Sequence, residues 1–165
     1  MKKILKRILL ALAILLVLLQ FYPRAKNNIN GSEAQNIATV QQVPADVQAL
    51  LKTSCYDCHS NNTFYPWYYN IQPVAWWLDD HIKDGKKDLN FSEFAGYRLA
   101  KQFRKLEEIE ELVTDNEMPL TSYTLIHTDA KLNDQQKLTI TNWSKKLQAE
   151  MKARYPADSL VRKKK

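Results

Sequence analysis

The sequence predicts an all-α domain set behind an N-terminal membrane-spanning helix. Three observations carry this. Glycine occurs three times in 165 residues (Gly31, Gly85 and Gly96), too few for a sheet-rich fold with many tight turns. Long Leu-, Lys-, Glu- and Gln-rich segments favour helix, and no stretch alternates apolar and polar residues as a half-buried strand does. The first residues read MKKILKRILLALAILLVLL, with four basic residues ahead of an unbroken apolar run from Ile8 to Leu19.

That run has the form of an export signal. Ile4 and Leu5 lengthen it while Lys6 and Arg7 snorkel, which brings it toward the length of a span. The excess of positive charge before the run places the N-terminus in the cytoplasm and the body outside. The following QFYPRA is bulky where a signal peptidase requires small residues. Residues 1–26 are therefore read as an uncleaved signal anchor, with a cleaved signal as the alternative.

Residues 27–42 (NNINGSEAQNIATVQQ) lack apolar periodicity and read as a linker. A helix is expected from Pro44, with Asp46 at its positive end and Val47, Leu50 and Leu51 on one face. A second is expected to open at Pro73 and close at Gly85. Asn90 and Glu93 have capping-box spacing ahead of the stripe Phe94, Leu99, Phe103, Leu106, Ile109 and Val113, with a break expected near Phe103. Asn133 and Gln136 repeat the box before Ile140, Trp143, Leu147 and Met151. The domain is drawn at 43–155, with a basic tail at 156–165.

The net charge of +6 is a property of the two ends. Residues 1–26 contribute six basic residues and no acid, and Arg162–Lys165 contribute four more basic residues. The segment between them holds 14 basic and 18 acidic residues, a net of −4. A nucleic-acid role has no support in that distribution.

Both cysteines fall in SCYDCHSNNTFYPWYYN, residues 54–70. A thioredoxin-type dithiol requires a strand before Cys-x-x-Cys inside a βαβ unit, and here the preceding residues are helical. A structural zinc site requires four ligands, and Cys55, Cys58 and His59 supply three at most. Covalent haem accounts for the whole motif: Cys55 and Cys58 add across two porphyrin vinyl groups and His59 takes the iron as proximal ligand. Phe64, Tyr65, Trp67, Tyr68, Tyr69, Trp76 and Trp77 are expected to help line the pocket. For the distal side the first candidate is Met118, in DNEMPLTSY, whose thioether sits ahead of Pro119. His81 ranks second and His127 third.

The stretches CYDCHSNNTFYPWYYNIQPVAWWLDDHIKDGKKDLNFSEF, EMPLTSYTLIHTDAKLND and NWSKKL resemble the small haem-binding domain family of exported bacterial proteins, which is similar to the class I c-type cytochromes. The resemblance covers roughly Val43 to Met151. It implies a cytochrome c-like helical fold, one covalently attached haem c, Cys55 and Cys58 as attachment points, His59 as proximal and Met118 as distal ligand. It implies electron transfer by analogy, and together with the N-terminal anchor gives the reading of a membrane-anchored monohaem electron carrier, more carrier than enzyme, with its body in the periplasm, held to the inner membrane by a single pass and serving an unidentified redox partner. The −4 body would steer a basic partner. The alternatives are a peroxidase-like haem enzyme in which His81 or His127 moves protons, a gas or redox sensor with a labile distal position, and a soluble periplasmic form left after signal cleavage.

Overall fold

The computed structural model describes residues 1–24, 26–28 and 33–161; part of the expected linker (29–32) and of the basic tail (162–165) lies outside them. Among the described residues the fold is helical, with no strand and one isolated bridge between Asn28 and Asn62. The described residues form seven α-helices in order: α1 (Lys2–Leu19), α2 (Ala45–Ser54), α3 (Tyr56–His59), α4 (Val74–Asp88), α5 (Leu99–Thr114), α6 (Thr121–Thr124) and α7 (Asp134–Arg154).

The expected membrane span is corrected. No helix among the described residues is long and apolar enough to cross a membrane. α1 has 18 residues and begins with Lys2, Lys3, Lys6 and Arg7, so its uncharged part, Ile8–Leu19, covers about 18 Å against a hydrocarbon core of about 30 Å. It cannot be lengthened at its far end. The helix stops at Gln20, whose side-chain amide clasps the Gln72 backbone, donating to its carbonyl at 3.1 Å and accepting from its N–H at 2.9 Å. Tyr22 then meets Trp76 edge-on at 5.1 Å. The anchored, single-pass inner-membrane topology and the membrane as a partner fall with the span.

The main core lies between α2, α5 and α7. α5 and α7 form the most extensive helix pair, with Leu106, Ile109, Val113, Ile140, Trp143 and Leu147 buried between them and their neighbours. Asn133 and Gln136 form the capping box that opens α7, each side chain bonded to the other's backbone N–H at 2.8–2.9 Å. Ile37, inside the stretch read as linker, is fully buried in the same core. Leu106 is also completely buried, and truncating it to alanine is expected to cost about 2–5 kcal/mol, read as a lower midpoint in urea unfolding with an unchanged slope.

Three local expectations are revised. α4 does not close at Gly85 but continues to Asp88. Asn90 does cap, accepting from Ser92 N–H at 3.0 Å, but what it opens is a 3-10 stretch, Phe91–Gly96. The break falls at Tyr97–Arg98, before Leu99, and α5 runs through Phe103 without interruption.

Candidate functional site

Cys55 is the joint between α2 and α3, and His59 N–H bonds back to its carbonyl at 2.9 Å. Residues three and four apart share a helix face, so this single turn sets Cys55, Cys58 and His59 side by side. The loop behind it is fixed by Asp57, whose carboxylate accepts from Phe64 N–H at 2.9 Å and from the Tyr123 hydroxyl at 2.7 Å. Thr63 donates to the Asp57 carbonyl at 2.6 Å. α4 lies directly on this turn at Gly85. A β-carbon there would come within 2.8 Å of the Cys58 carbonyl oxygen, so glycine is what permits the approach.

The imidazole of His59 is oriented for ligation. Its Nδ1 pairs with the Leu89 carbonyl at 3.0 Å, just beyond the end of α4. That bond puts the proton on Nδ1 and leaves Nε2 for a metal. Burial lowers the His59 pKa, against the pull of the carbonyls it bonds, and favours the neutral ring that ligation requires. Both thiols are unpaired. Burial, with Cys58 adding to it, pushes Cys55 up to about 12, and burial, with Asp57 adding to it, pushes Cys58 up to about 11. Thiols held protonated in this way are poor dithiol redox groups, whereas addition across a vinyl group consumes an intact S–H. Among the described residues no group of three or more His, Cys, Asp or Glu is placed to hold a metal ion by itself.

The opposite wall comes from the end of α5. Asn116 adopts a left-handed backbone (φ 62°), and the N–H groups of Asn116 and Glu117 bond to the Val113 and Leu112 carbonyls at 3.4 and 2.9 Å. This is the Schellman ending, with asparagine at its left-handed position. It turns the chain so that Met118 enters a cleft of about 290 Å³ that Cys55, Cys58, His59, His81 and Tyr123 also line. A smaller apolar extension of about 60 Å³ continues inward past Met118 to Leu51, Phe91, Ile109 and Ile140. In its wall the ammonium of Lys105, buried to 2% exposure, is held by Asp88 at 2.7 Å and by Glu108. The Ser54 hydroxyl lines both spaces, buried and without a hydrogen-bond partner.

The cleft thus gathers four of the expected site residues, Cys55, Cys58, His59 and Met118, and brings His81 to its edge. His127 does not line it. That ring bonds to Tyr68 and stacks on Tyr123 on the far side of Cys58. The expected aromatic lining is also corrected: none of the seven aromatics lines the cleft. Tyr69 forms a second small core with Ala75, Leu78 and Ile82, against which Tyr65 and Tyr68 pack. Phe64 and Trp67 are exposed. Gly85, the Leu89 carbonyl, Lys105 and Tyr123 were not among the expected site residues.

A neutral imidazole with its outer nitrogen free, two protonated thiols on the same turn, a thioether opposite and an apolar recess describe a helical haem-binding domain. The chain belongs to the haem-binding domain family, whose model matches residues 14–146. It is 31% identical over 104 residues to "Cytochrome c peroxidase Ccp" of Escherichia coli (strain K12), a match covering 61% of this chain and 22% of that protein. The chain therefore spans about a fifth of that relative's length. No solved structure matches it. The relative is an enzyme by name, and the expectation of a membrane-anchored carrier, more carrier than enzyme, is corrected on both counts.

Proposed function

We propose that the chain is a peroxidase-like haem domain, its haem c held by thioether bonds from Cys55 and Cys58 and by His59 at the iron. The observation that carries this reading is the shared cleft, where a pre-oriented imidazole and two thiols meet Met118 and His81. Its likeness to a named cytochrome c peroxidase points the same way. Bound there, haem supplies the one-electron redox chemistry that peroxide reduction needs.

The chain's own groups divide the remaining work. His59, tied to Leu89, fixes the ring plane of the proximal ligand. Met118 would offer its thioether to the iron, a soft ligand that a small molecule could displace. His81 is the proton-moving group. Its Nδ1 pairs with the Trp77 carbonyl at 2.8 Å and its ring packs on Trp77 at 4.3 Å, so the imidazole is held with Nε2 available to take a proton from peroxide and return it. Of the two histidines considered for this role, His81 lines the cleft and His127 does not.

Mixing the haem-loaded protein with hydrogen peroxide and a reducing dye tests the reading. Wild type is expected to turn over, His81→Leu to lose on the order of 10²-fold in rate, and Met118→Ala to become high-spin and react faster. A haem spectrum indifferent to peroxide in both wild type and Met118→Ala would refute the proposal.

A further inference from the structure

Tyr123 faces two ways. It lines the cleft with Cys58 and His59, and it also lines a second small space beyond Cys58 together with Tyr68 and His127. Its ring stacks on His127, with centroids 4.3 Å apart and planes 15° from parallel. The Nε2 of His127 lies 2.5 Å from the Tyr68 hydroxyl oxygen. The Tyr68 ring in turn meets that of Trp67 edge-on at 5.9 Å, and Trp67 is 76% exposed. Four conjugated rings run from the cleft wall to solvent, each touching or hydrogen-bonded to the next.

Packing alone accounts poorly for this row. An indole contributes to a core by leaving water, and Trp67 does not leave it. The Tyr68–His127 pair adds a specific chemical capacity. A phenol gives up an electron at a moderate potential only when its proton can leave too, and the imidazole Nε2 is an acceptor for that proton.

We infer that Trp67, Tyr68, His127 and Tyr123 form a one-electron relay between the protein surface and the cleft, through which an external one-electron reductant meeting Trp67 supplies electrons. The inference rests on the cleft being a haem site. In each passage the reductant loses one electron and the haem iron gains it. When Tyr68 is transiently oxidised its phenolic proton crosses to His127 Nε2, and it returns when Tyr68 is reduced. No other bond forms or breaks, and no net proton is taken up. The stacked Tyr123–His127 pair bridges the last gap to the cleft and need not itself be oxidised.

The relay conducts in both directions, so it can be tested without peroxide. Full-length haem-loaded protein is reduced, and tris(bipyridine)ruthenium(III), generated by a laser flash with a sacrificial acceptor, serves as oxidant in solution. Oxidation of the ferrous haem is followed by absorbance. Trp67→Leu, at an exposed position, and Tyr68→Phe are each expected to slow that step by about tenfold or more. Trp76→Leu, an exposed tryptophan off the row, is expected to match wild type. Equal rates in all four proteins would overturn the relay, as would slowing of the same size in Trp76→Leu. A protein that ignores peroxide yet shows the Trp67 and Tyr68 dependence would lose the proposed enzymatic function and keep the relay.

Discussion

Replacing Cys55 and Cys58 together by serine is expected to abolish the haem stain on a denaturing gel while leaving the helical content of the body intact. A serine hydroxyl does not add across a vinyl group as a thiol does, so no thioether forms at either position. Cys55 packs against the main core and Cys58 against the smaller one, but serine replaces sulfur by oxygen with little change of shape, which is why the fold survives the exchange. Haem could then be held only by His59, Met118 and the apolar recess, and acidic butanone would extract it. Each single variant is expected to keep the stain and to show the pyridine haemochrome of one remaining vinyl group. Undiminished stain in the double variant would mean that the macrocycle is attached elsewhere, and the assignment of this turn would fail with it.

Gly85→Ala is expected to destabilise the domain by about 1–3 kcal/mol, a sign opposite to the usual effect of replacing glycine inside an exposed helix, where alanine gains about 1 kcal/mol. The added carbon would stand 2.8 Å from the Cys58 carbonyl oxygen, 3.1 Å from its β-carbon and 3.2 Å from its carbonyl carbon. Two of these three neighbours are backbone, so relief requires α3 and α4 to separate, which displaces Cys58 and stretches the bond between His59 and Leu89. Haem incorporation should fall along with the unfolding midpoint. Gly96→Ala is the matched control. There the nearest atom, at 2.9 Å, is the end of the Gln35 side chain, which can swing aside, and a near-neutral change is expected. Equal and small effects at both glycines would show that the α3–α4 approach is not tight in solution.

How far the sequence discloses this arrangement depends on the kind of signal. Local signals with one reading transfer well: the Asn133–Gln136 box opens α7 as written, and Cys-x-x-Cys-His places its three groups on one turn because spacing alone fixes a helix face. Signals with two readings mislead. Gly85 after a run opened by Pro73 reads as a helix end, yet its missing side chain serves a close approach that no one-dimensional pattern encodes. A dense aromatic run beside a haem motif reads as pocket lining, but an amphipathic ring can equally build a separate core or sit in water, as Tyr69 and Trp67 do. The apolar run near the N-terminus is export-like in composition and too short as a helix once its four charges are counted. Lys105 carried a faint signal, lying four residues before Ile109 on the flank of the α5 stripe. Its two carboxylate partners, Asp88 from another helix and Glu108 from its own, show why a charge is tolerated there.

The two walls of the cleft come from segments that α5 separates in chain order. On the proposed reading the groups that attach the macrocycle, from Cys55 to the Leu89 carbonyl that steadies His59, fall in the stretch 55–89, and Met118 and Tyr123, which also line the cleft, arrive only after the α5 helix. The α5–α7 pair that builds the main core thus also sets where the second wall stands. On the proposed reading, a substitution in 55–89 acts on attachment of the cofactor, and one in 118–123 acts on the wall that faces it.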